Sequence, residues 1–229
     1  MVYSYAPGRS AEHAAALLRG YCGVLQTDGY SAYRSLADPK RSGAPVTLAF
    51  CWAHWRRQWF EIAKSPPAPI ATEALKRIAE LYEVEAEIRG KSAEERRAVR
   101  QEKAKPLVET LKAWLEKTLT QVAGGSPIAQ AIRYGLNHWD GLNRFLDDGR
   151  IEIDSNTVER SMRPIALNRK NALFAGSDEG AENWAMLASV IETCLCRARH
   201  RAVYAARRTM PSGVVFHRIR AEVHVNCSA

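Results

Sequence analysis

From Ile70 to Phe145 the apolar residues recur at three- and four-residue spacing over about 75 residues, and no alternating segment interrupts them. Such a run cannot join a sheet, so any sheet must be built from the flanks. Leu75, Ile78, Leu81, Tyr82 and Ile88 predict one helical stripe, and Leu107, Leu111, Trp114, Leu115 and Leu119 a second. A third helix is expected to open with Ser126 as N-cap and Pro127 at its first position, burying Ile128, Ile132, Leu136, Trp139 and Leu142. Between the first two, "SAEERRAVRQEKAK" starts with Ser92 and Glu95 in capping-box spacing, and its charges predict a solvated face.

The flanks read differently. Before the helical run, a short strand is expected near Val2 to Tyr5, a helix through "AEHAAALLRG", a strand from Val24 to Gln26, and a strand "VTLAF". A helix follows from Cys51 through "CWAHWRRQWFEIAK" and ends before Pro66, Pro67 and Pro69. After the run, Asp147 to Gly149 is a turn signal, "RIEID" alternates like an edge strand, "SNTVERSMRPI" begins a helix, and "AENWAMLASVIETC" has an amphipathic pattern. The fold class is therefore α/β and helix-rich overall, with a large helical insertion.

Composition narrows the function classes. Apolar residues make up 46%, enough for a buried core. No stretch approaches the roughly 18 apolar residues of a membrane span, and "MVYSYAPGRS" lacks the regions of a signal peptide, so a cytoplasmic protein with no membrane partner is expected. Five cysteines without framework spacing fit a reducing compartment, and no bridges are expected. The net charge of +8 is concentrated past Cys194, where seven arginines meet one acid, Glu222, and no lysine. That tail suits either a nucleic-acid arm or a shifted reading frame in GC-rich DNA, and its abrupt composition favours the second.

Two carboxylates attract attention. Asp28 follows the strand that ends at Gln26, and Gly29 allows the sharp exit that chemistry at a strand end requires; Asp28 is equally an ordinary turn or N-cap residue. Glu159 could face the same cleft, and a carboxylate pair holding a divalent cation suits phosphoryl transfer. Structural duty also explains Glu159, which has N-cap to N3 spacing with Asn156 and i,i+4 spacing with Arg163. Cys51 and His54 are spaced like half of a zinc site, yet no second ligand pair is evident, and a helix start with Trp52, Trp55, Trp59 and Phe60 on the sheet is the simpler account. Arg56, Arg57, Arg160, Arg163, Arg169 and Lys170 form either a phosphate-contacting surface or scattered solvated charges.

"LQTDGYSAY", "CWAHWRRQWFEIA", "LDDGRIEIDSNTVERSMRPIALNRKNALFAGSDEGAENWA" and "SVIETC", in this order, resemble transposases of the insertion-sequence-66 family. The resemblance spans roughly Val2 to Thr193. It implies an RNase H-like fold, here a partial one, and a DDE triad of carboxylates binding Mg2+ or Mn2+. It also implies DNA strand cleavage and transfer, with transposon ends and target DNA as partners. By the match, Asp28 is the second triad aspartate and Glu159 the glutamate, both catalytic and metal-binding, flanked by the DNA-contacting basic residues named above.

The family's first triad aspartate lies upstream of the segment that "VYSYAPGRS" resembles, so this chain is expected to lack it, to bind metal weakly and to be inactive alone. Residues 1–65 and 147–193 are expected to form the two parts of the catalytic core, 66–146 the helical insertion and 194–229 a divergent tail. A second reading is a DNA-binding or regulatory fragment that associates with intact transposase through the helical insertion and inhibits it; the partners considered are a second copy of the chain, as a homo-oligomer, or the intact transposase. A third is an unrelated metal-dependent nuclease or phosphatase, with Asp154 as its further carboxylate.

Overall fold

The computed structural model describes residues 3–8, 10–41, 46–156, 158–160, 163 and 177–206, the last helix with side chains to residue 195. The chain divides into two compact units, one of residues 21–156 and one of residues 1–20 with 157–229.

In the first unit, the β-branched and apolar residues after Gly23 form β1 (Gly23–Thr27), which pairs in parallel with β2 (Val46–Phe50), Leu25 opposite Leu48 and Thr27 opposite Phe50. Among the described residues these two strands make the whole sheet. A parallel pair needs a crossover, and part of this one is a 3-10 segment, Ser31–Ala37. The chain then runs through α2 (Trp52–Ala63), α3 (Pro69–Glu87), α4 (Ala93–Val99), a π-helical turn (Arg100–Ala104), α5 (Lys105–Leu119), α6 (Pro127–Asn137) and α7 (Trp139–Asp147). Ser126 caps α6 by accepting from Ala129 N–H at 3.1 Å, and Ser92 and Glu95 close the expected capping box on α4.

The core sits in the helices. Trp52, Trp55, Ile78, Leu81, Leu111, Leu115, Ile132 and Phe145 are all at or below 1% exposure in one cluster. Two indoles lock α2 to the later helices: Trp52 Nε1 donates to Leu142 O at 2.7 Å and Trp55 Nε1 to Ala131 O at 2.8 Å. Trp55 lies against bare backbone, since a Cβ at Gly135 would fall 2.2 Å from its Cζ2.

Several expectations are corrected. The tryptophans of α2 pack among helices more than on the sheet, and Phe60 is 48% exposed. The third helix of the run breaks at His138 into α6 and α7. Tyr3 to Tyr5 is not a strand: Tyr3 N–H donates to Ser189 Oγ at 2.8 Å in the second unit. Nor is "RIEID", because side chains and turns claim its backbone. Arg100 Nη1 donates to Ile151 O, Gln26 Nε2 to Glu152 O, and Trp52 N–H to Ile153 O. The charged run after Ser92 is not wholly solvated either, for Arg100 is fully buried against Glu85.

The second unit holds α1 (Ala11–Leu17), capped by Ser10, and α8 (Asp178–Ala206). Ala181, Ala185, Ala188 and Ser189 of α8 are partly covered, whereas Trp184, Met186, Leu187, Val190, Ile191 and Leu195 are exposed. The arginine-rich tail past 206 lies outside the described residues. Among the described residues no helix is long and apolar enough to cross a membrane.

Candidate functional site

Asp28 leaves β1 where the strand stops, and its side chain is exposed. The turn that follows carries local hydrogen bonds. Tyr30 N–H donates to Asp28 Oδ1 at 3.0 Å and Gly29 N–H to Thr27 Oγ1 at 3.3 Å, while Gly29 adopts φ +88°, which an L side chain resists. Among the described residues the second oxygen, Oδ2, makes no hydrogen bond, so one face of the carboxylate is open to a ligand.

Parallel register brings a second group alongside. Thr27 faces Phe50, and Cys51 N–H donates to Thr27 O at 3.1 Å, so Asp28 and Cys51 stand at neighbouring strand ends. Cys51 is buried and stands at the N-cap position of α2. Burial alone would push its thiol up, but hydrogen bonds from His54 and Ser155 outweigh that and hold it below its ordinary value. The Ser155 N–H lies 3.3 Å from the sulfur. Cys51 and His54 therefore form a hydrogen-bonded pair at a helix start.

Asp154, the further carboxylate considered above, is turned to structural use. Its oxygens accept from Asn156 N at 3.0 Å and Asn156 Nδ2 at 2.6 Å. The Tyr82 hydroxyl is buried beside it and is pushed strongly up, first by burial and then by the charges of Asp154 and Cys51.

The helical region contributes what the sequence did not reveal. Tyr134, on α6, donates its hydroxyl to Asp28 O at 2.9 Å. Burial and then the charges of Asp28 and Cys51 raise the Tyr134 phenol above its ordinary value. His138 stacks on Tyr134 with ring centroids 4.4 Å apart, and Arg34 lies 3.2 Å from His138 Nε2. A cavity of about 450 Å3 opens beyond β2, lined by Leu48, Phe50, His138, Asp140 and Arg144 among others; Asp28 does not line it.

Arg56 and Arg57 are exposed on the outer face of α2. Glu159 belongs to the other compact unit, where its side chain is half-buried and Arg160 and Arg163 are exposed. Arg169 and Lys170 lie outside the described residues.

The class of protein comes from comparison with known sequences, which identifies a transposase family. Residues 1–183 match the family described as "Transposase IS66 family", and the chain belongs to that family. Its relatives include three uncharacterized proteins of Sinorhizobium fredii (strain NBRC 101917 / NGR234). It is 47% identical to y4jD over 193 residues, covering 83% of this chain and 38% of the relative. It is 45% identical to y4qI over 197 residues (85% and 36%) and 42% identical to y4hP over 205 residues (84% and 37%). The chain thus spans under two fifths of the length of these relatives. No solved structure matches.

Proposed function

We propose that this chain is part of the catalytic core of a DDE-type transposase, in which Asp28 and Glu159 hold Mg2+ or Mn2+ for DNA strand cleavage and transfer. The observation that carries the reading is Asp28 itself: an exposed carboxylate at the end of β1, one oxygen fixed by Tyr30 N–H and the other open. A hard oxygen donor of this kind fits a hard divalent cation in donor chemistry. When bound, the cation would activate the attacking oxygen and stabilise the leaving one at a phosphodiester. The protein's part is to orient the carboxylate and to meet DNA phosphates with Arg56, Arg57, Arg160, Arg163, Arg169 and Lys170. In this reading β1 and β2 belong to an RNase H-like sheet, and Asp28 and Glu159 match two of the family's three carboxylates. The protein works in the cytoplasm, on transposon ends and target DNA.

The regulatory reading has one observation of its own. The exposed stripe Trp184, Leu187, Ile191 and Leu195 on α8 suits association with a second copy or with intact transposase.

Titration of the full chain with Mn2+, followed by the paramagnetic resonance of the free ion, tests the catalytic reading. D28N and E159Q are expected each to weaken binding; binding unchanged in D28N would sink it.

A further inference from the structure

The Asp28 turn is held from far along the chain. Tyr134 lies 106 residues away, yet its hydroxyl donates to Asp28 O at 2.9 Å. That bond fixes the plane of the peptide between residues 28 and 29, and the Tyr30 N–H fixes the side-chain oxygen, so together they set where Oδ2 points.

Tyr134 is itself fixed by its neighbours. His138 Nδ1 is 2.7 Å from Tyr134 O, and a carbonyl only accepts, so Nδ1 carries the proton. Nε2 is then the acceptor, and it receives the Arg34 guanidinium, which only donates, at 3.2 Å. Arg34 stands on the 3-10 segment that leaves the Asp28 turn. The loop from 28 to 34 is therefore fastened at both ends, to α6 through Tyr134 and to its C-cap through His138. Gly29 completes the fit, because a Cβ there would fall 2.4 Å from the Tyr134 oxygen.

We propose that Tyr134 is a positioning residue for the Asp28 carboxylate, and that the Tyr134–His138–Arg34 clamp makes the helical region part of the cation site. This rests on the catalytic reading given above. Y134F keeps the ring and its stacking but removes the donor, so Mn2+ affinity of the full chain should fall about tenfold, the low end for partners that orient a ligand. R34A, at an exposed side chain, should shift affinity in the same direction. The thermal midpoint, read on the same samples, separates positioning from folding: a merely structural tyrosine would lower the midpoint and leave Mn2+ affinity of the folded chain alone. In Y134F, the further change G29A should cost less Mn2+ affinity than it does in the wild type, since the phenol oxygen is gone.

If D28N weakens Mn2+ binding and Y134F and R34A do not, the positioning role is overturned and the catalytic reading stands. If D28N leaves binding unchanged, both fall.

Discussion

The fully buried guanidinium of Arg100 meets Glu85 edge to edge, with Nε to Oε1 and Nη2 to Oε2 both at 2.7 Å. Its remaining nitrogen donates to Phe145 O at 2.8 Å and Ile151 O at 2.9 Å, so one side chain at the π-helical turn ties together α3, the end of α7 and the segment that follows. Removing only Glu85 strands a buried charge. E85A should therefore lower unfolding free energy by about 3 to 5 kcal/mol. Urea denaturation reads this directly, and a loss within the scatter of surface substitutions would contradict the assigned burial.

Trp55 and Gly135 are expected to act as one unit. A methyl group at 135 would lie 2.2 Å from the indole, so G135A should destabilise by about 1 to 3 kcal/mol through overpacking. W55A vacates that space, and the double variant should be clearly more stable than the sum of the two losses implies. Additive losses in the urea midpoints would mean the two do not touch.

Cys51 supplies a pH dependence with a definite sign. Its thiol is held below 9.0 in the fold, so between the folded value and 9.0 the unfolded chain binds more protons than the folded one. Stability from this group is fully present above the unfolded value and is lost as pH falls through the folded value. C51S cannot ionise in this range. The stability of wild type minus C51S should therefore rise as pH climbs from below the folded thiol's value toward its ordinary value; a difference that is flat or falls would refute the lowered thiol.

Asp154 separates transposase chemistry from an unrelated metal enzyme. Both of its oxygens are engaged by Asn156, so D154N should reduce thermal stability and leave Mn2+ affinity as it was. A loss of Mn2+ binding matching that of D28N would favour the unrelated enzyme.

The periodic stripes, the Ser126 and Ser92 caps and the helix starting after Cys51 were legible because each is a local signal. Arg100 was not. A charge inside a charged run looks solvated until its partner, Glu85, is brought back along α3. Likewise "RIEID" alternates like a strand, but no neighbouring strand pairs with it among the described residues, and Arg100, Gln26 and Trp52 take its backbone groups instead. At the candidate site, Asp28 with Gly29 could be read from the sequence. Tyr134 could not, since a tyrosine and a histidine four apart on an amphipathic helix announce packing, and their target is more than a hundred residues away.

The clustered indoles of α2 have an optical consequence. Trp52 and Trp55 are 5.3 Å apart, and Trp139 of α7 is within 6.3 Å of both, whereas Trp184 is partly open to water in the other unit. Rings that close exchange excitation, so their near-ultraviolet dichroism and blue emission depend on α7 lying against α2. The chain carries an unlabelled reporter on that contact, and its colour separates the state of the helical core from that of the α8 surface in a single spectrum.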